Sequence, residues 1–168
     1  TNMSVGLHTV KIKATDLCRN TAICAFDILV VDDTAPNVIC DNITVVALSN
    51  DGTAVLKASV IDDGSFDNCG DVRFQIYRMV AACGEPSDTI PGEDIVLCCE
   101  DITNGPIQVM LRVWDDADGN GIYGSAGDNF AECMTLVRVE YKLAPDFVCP
   151  PHVTINCTQD FEDLNITG

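Results

Sequence analysis

Residues 20–24 read Asn-Thr-Ala-Ile-Cys, and residues 129–133 read Asn-Phe-Ala-Glu-Cys. Twelve positions after each cysteine stands a proline, Pro36 and Pro145, and four positions after each proline another cysteine, Cys40 and Cys149. Val30 with Val139 and Ala35 with Ala144 keep the same offset of 109. Upstream, Val10-Lys-Ile-Lys-Ala-Thr-Asp16 aligns with Val109-Met-Leu-Arg-Val-Trp-Asp115 at an offset of 99, so the second copy carries ten extra residues between Asp115 and Asn129. Downstream, Ile43-Thr44-Val45 matches Val153-Thr154-Ile155 after a one-residue slip. Three blocks in one order are the signature of an internal repeat.

With Pro36 and Pro145 as domain starts, the expected organisation follows. Residues 1–36 are the closing part of one domain, 37–143 a complete domain with an acidic insertion, and 144–168 the opening part of a following domain. Fragments this short do not bury a core alone. Each is expected to be completed by another subunit or repeat.

Apolar runs and alternations between turn signals predict strands over residues 8–14, 23–31, 43–48, 54–60, 72–80, 95–99, 107–114, 133–141 and 153–157. Asn50-Asp51-Gly52 is a turn signal, and no segment has the period of an amphipathic helix. Short strands at this spacing predict an all-β fold of tandem immunoglobulin-like sandwiches.

Composition narrows the function. The 168 residues include 26 acids against nine Lys and Arg, for a net charge of −17. A phosphate backbone needs a basic face, so the charge argues against nucleic-acid binding. Anionic membranes are disfavoured, divalent cations favoured. No run is long and apolar enough to span a membrane, and no signal peptide or initiator Met is present. The chain reads as a processed or excised piece of a secreted protein. Ten cysteines without a Cys-x-x-Cys spacing, beside two histidines, His8 and His152, read as a disulfide framework of an oxidising compartment rather than a metal protein. Cys98 and Cys99 are adjacent; on one strand they point to opposite faces and serve different partners.

The series Val5-Gly6, Val10, Ala14-Thr15-Asp16, Asn20, Ala22, Cys24, Val30, Asp32, Pro36, Cys40 resembles the hyalin-repeat module, as does Pro145-Asp-Phe-Val-Cys-Pro150. Asp62-Asp63-Gly64-Ser65-Phe66-Asp67-Asn68-Cys69 resembles the Asp-Asn-Cys segment of its bacterial members. The central domain is longer than the usual module. The resemblance implies an immunoglobulin-like fold, an extracellular adhesive or structural role, and no catalytic residues. It also implies that a module's first and last cysteines pair, here Cys40 with Cys133. Cys69, Cys83, Cys98 and Cys99 then remain for two more bonds of open connectivity. Cys149 is expected to pair with an equivalent of Cys24. If the halves of two molecules meet, the result is a head-to-tail polymer held by Cys149–Cys24, with Cys18–Cys157 as a further bond. The alternative is a window cut from a longer tandem chain.

The insertion contains Asp116, Asp118, Asn120, Gly121 and Ile122, the first half of a calcium loop: oxygen ligands at alternate positions, then a glycine and a backbone carbonyl. Gly127 stands where the usual glutamate would be, and Asp128 follows as its substitute. Ca²⁺ is therefore the expected cofactor; an ion-free turn rich in Asp, Gly and Asn is the alternative. A second acidic cluster, Asp62, Asp63, Asp67 and Asn68, reads as a solvated turn. Asn-x-Ser/Thr sequons occur at Asn2, Asn42, Asn156 and Asn165, of which Asn42 and Asn165 are the glycan candidates. No nucleophile or metalloprotease motif occurs, and Trp114 reads as a core aromatic. The chain is expected to be no enzyme but a structural repeat unit of an extracellular filament or giant surface adhesin, with copies of itself as partners. A module binding a cell-surface glycan or protein, or an accessory domain of a secreted enzyme, are the alternatives.

Overall fold

The computed structural model describes residues 3–117, 119–125, 127–144, 147–149, 152 and 156–157. Eight strands and one short helix follow in order: β1 (Gly6–Thr15), β2 (Thr21–Val30), β3 (Ile43–Ala47), β4 (Thr53–Lys57), β5 (Val72–Arg78), β6 (Asp94–Cys98), α1 (Cys99–Thr103), β7 (Ile107–Asp115) and β8 (Phe130–Glu140). The fold is all-β. The expected strand over 153–157 falls mostly on residues outside the described set.

The strands form a four-stranded sheet in the order β3-β8-β7-β5, a two-stranded sheet β4-β6, and a separate hairpin β1-β2. β3 runs parallel to β8, while β7 is antiparallel to both β5 and β8. The alternation of β7 places Val109, Leu111 and Val113 inward, each with no exposed surface. Ile76, Val137 and Val139 join them from the same sheet, and Leu56, Ile95 and Leu97 from the two-stranded sheet, in one cluster. Both sheets thus enclose one core. Each aliphatic side chain fully buried there contributes about 1.5–3 kcal/mol.

Two local outcomes differ from the sequence expectation, and the expected Asn50–Gly52 turn is present. The strand expected over 54–60 stops at Lys57, and Ala58–Val60 forms a 3-10 turn. Ala58 and Ile61 both face the core; residues three apart share a face in a three-residue turn but not in a strand. The Asn50–Gly52 turn is present, with Gly52 at φ 78°, where glycine carries no Cβ penalty. It joins β3 to β4 across the two sheets, rather than forming a hairpin. Finally, Cys98 and Cys99 do not share a strand. Cys98 ends β6, and Cys99 opens α1 because Asp101 accepts the Cys98 N–H at 3.0 Å and caps the helix.

Candidate functional site

The hairpin is the least covered part of the molecule. β1 and β2 pair as Ile12↔Cys24, Val10↔Phe26 and Ala14↔Ala22. β7 and β8 pair as Leu111↔Cys133, Val109↔Thr135 and Val113↔Ala131. The offsets of 99 and 109 convert the first set into the second, pair for pair. The environments differ sharply. Leu111 has no exposed surface and Thr135 is 2% exposed, whereas their counterparts Ile12 and Phe26 are 54% and 44% exposed. Ala14, Ala22 and Cys24 on the same hairpin face are exposed as well, and Val10, Ile28 and Val30 are half-buried. Among the described residues, β2 is hydrogen-bonded to β1 only, while β8 carries β3 on its second edge.

An Asp–Asn clasp closes both pairs of strands. In the hairpin, Asp16 accepts the backbone N–H of Asn20 at 2.8 Å and its side-chain amide at 2.9 Å. These bonds to Asn20 hold the Asp16 carboxyl below its ordinary value of 3.8. At the base of the insertion, buried Asp115 accepts the N–H of Asn129 at 2.6 Å and its side-chain amide at 3.1 Å. Asp16 and Asp115, and Asn20 and Asn129, are equivalent positions of the repeat. The second clasp reaches further. The Asn129 amide also donates to the Asp32 carbonyl at 3.4 Å, tying the segment after the hairpin to the central domain.

Above the clasp, the insertion is held by its own chain. Tyr123 stacks edge-on between Trp114 and Phe130, with ring centroids 5.6 and 5.7 Å apart. The Arg112 guanidinium lies 4.7 Å from the Tyr123 centroid and donates to Glu132 at 2.8 Å. Trp114 is buried under this cover, though it sits on the face of β7 opposite the main core.

The calcium expectation can be tested against these residues. Asp116 accepts the Arg73 Nε–H at 2.8 Å and the Gly121 N–H at 3.0 Å. Partial desolvation pushes the Asp116 carboxyl up, but the Gly121 and Arg73 bonds outweigh it and hold it below 3.8. Asp128 accepts the N–H groups of Gly124 and Ser125, both at 3.0 Å, and that of Ala117 at 3.3 Å. The Asn120 side-chain oxygen accepts the Ile122 N–H at 2.6 Å. Ile122 is exposed, and Asp118 lies outside the described residues. Each described carboxylate of the loop thus accepts protein donors, with the Arg73 guanidinium on one oxygen of Asp116.

Ligating groups do gather elsewhere. Asp32, Asp67 and Cys69 have ligand atoms within 4.8 Å of one another. Cys69 is exposed, and its thiol is pushed above its ordinary value by desolvation first, then by Asp32 and Asp67.

Cys40 is bonded to Cys133, and Cys83 to Cys98. The first bond closes a loop of 93 residues, which in the chain-entropy view restricts the unfolded state more than the second, with 15. Cys69 and Cys99 are not joined, so the four remaining cysteines of the central domain make one bond rather than two. Cys18, Cys24, Cys149 and Cys157 are exposed and unpaired. Asn42 is exposed just before β3, and Asn165 lies outside the described residues. His8 donates to the Ser4 carbonyl at 2.6 Å, and His152 is exposed.

One polar centre carried no sequence signal beyond its rarity. Arg78 of β5 is buried and pairs with buried Asp101, also donating to the Val96 carbonyl at 2.9 Å. A cation at the end of an alternating strand, in a chain with only nine Lys and Arg, was the available clue. No family model matches the chain, and no curated protein matches it in sequence.

Proposed function

We propose that the chain is a structural repeat unit of an extracellular filament or a large cell-surface adhesin. In this reading it is built from immunoglobulin-like domains of hyalin-repeat type, and it extends head to tail as half-domains are completed by neighbouring units. One observation carries the reading: the hairpin has the register of β7–β8, yet Ile12 and Phe26 on its apolar face are exposed where Leu111 and Thr135 at the matching positions are buried. A two-stranded hairpin is marginal in water without a third strand or a covering layer. An exposed apolar face of this kind marks an interaction surface. Two disulfides suit an oxidising compartment. No helix among the described residues is long and apolar enough to cross a membrane. The role is mechanical.

Electron microscopy of the native, unreduced material tests the reading. Periodic filaments, persisting in chelator, are the expected result. Isolated particles that instead bind a glycan saturably would overturn it in favour of a binding module.

A further inference from the structure

We infer that the free edge of β2 receives residues 153–157 of a second copy as a parallel strand, with Cys24 of the first copy bonded to Cys149 of the second. The inference rests on the repeat-unit reading above and names its contact. In the central domain β3 lies parallel on β8, with Ile43 opposite Leu136 and Val45 opposite Arg138, and Cys40 is bonded to Cys133. β2 has the register of β8 but lacks the strand that β3 supplies. The segment that repeats Ile43-Thr44-Val45 is Val153-Thr154-Ile155. Carried through the repeat, the β3–β8 register sets Val153 opposite Asp27 and Ile155 opposite Leu29. The counterparts of Cys40 and Cys133 are Cys149 and Cys24, both exposed and unpaired. The paired cysteines have Cα atoms 6.3 Å apart; Cys149 stands four positions before Val153 where Cys40 stands three before Ile43, so the joint carries one extra residue between bond and strand.

Reach selects a second copy over the chain's own end. The hairpin joins the central domain beside Asn129, at the start of β8. The chain leaves at the other end of β8, about 34 Å away for its eleven residues. Cys24 lies about 20 Å from Val30 along the hairpin, whose exposed outer half is not packed back along β8. Eight residues lie between Glu140 and Cys149, and the nine Cα steps span at most about 32 Å when extended. The chain's own Cys149 therefore falls short of its own Cys24. Donor and acceptor lie at opposite ends, so the contact is heterologous and propagates. The same register places Cys157 opposite Val31 at the hairpin base, while Cys18 sits in the turn at its tip. The expected Cys18–Cys157 bond does not form in this joint.

The full chain, reduced and then oxidised with glutathione disulfide, tests this. Two thiols lose two protons and two electrons to the glutathione disulfide, which leaves as two glutathione thiols. A ladder of covalent multimers is expected on a non-reducing gel, with a Cys24–Cys149 peptide in the digest. Cys24→Ala and Cys149→Ala should each abolish the ladder, and an equal mixture of the two should restore a covalent dimer and nothing larger. In wild-type multimers the amides of residues 27–31 should exchange at least tenfold more slowly than in the reduced monomer, a readout independent of the variants. A Cys24–Cys149 bond within one chain, or multimers without that bond, would overturn the edge assignment. Filaments that form without it would overturn the assignment and leave the filament reading standing. Covalent dimers that never extend would do the reverse.

Discussion

Asp101 ties together three elements. One carboxylate oxygen caps α1 and the other meets the buried guanidinium of Arg78. Removing one partner of a buried ion pair leaves the other charge uncompensated, which costs about 3–5 kcal/mol. Asp101→Ala is therefore expected to lower stability by that amount in denaturant unfolding. A loss under about 1 kcal/mol, the level of a surface pair, would mean that the pair is solvated. Asp116 makes a different, pH-dependent contribution. Its carboxyl is held below 3.8 by Gly121 and Arg73 against desolvation, so the folded state favours the charged form. That contribution is complete above the unfolded value of roughly 3.9 and is lost as pH falls through the lower folded value. The gap in unfolding midpoint between the wild type and Asp116→Asn should be widest near neutral pH and close as pH falls through the lowered folded value. A gap that stays constant into strong acid would contradict this account.

At the scale of elements, the insertion between β7 and β8 is a lid on the outer sheet face. Tyr123 bridges Trp114 and Phe130, and Trp114 is the single tryptophan of the chain. Tyr123→Ala should expose the indole and shift its emission to the red. Added calcium should leave wild-type emission unchanged at millimolar concentrations, where weak extracellular sites fill. A saturable calcium-dependent change would show that Asp116 exchanges Arg73 for a metal. The insertion was legible in the repeat as ten extra residues, and its turn chemistry in its Asp, Gly and Asn content. What holds it down was not. Arg73, Arg112 and Tyr123 come from different stretches of chain, and they converge only because β5, β7 and β8 are neighbours.

Across the whole molecule, stability is distributed unevenly. The central domain has two sheets around one core and two disulfides, whereas the hairpin keeps its apolar face in water. Segments with few buried apolar contacts open at low free energy. Amide exchange of the reduced monomer should therefore be fast throughout β1 and β2 and slowest at β7 and β8. Equal protection of the two paired units would mean that the hairpin is already covered within one molecule.

The sequence by itself determined the class of fold and the positions of most strands, because strand periodicity and turn residues are local. Its repeat offsets also aligned β1 with β7 and β2 with β8, including the Asp and Asn positions that the structure joins by hydrogen bonds. Tertiary structure decided the rest. It set Cys98 apart from Cys99 by starting a helix between them, and it sent β3 and β4 to different sheets across a tight turn. It placed Arg73 on Asp116 where a cation was expected. Each of these outcomes depends on which distant segments become neighbours, and that is settled by burying one shared core rather than by any local pattern of residues.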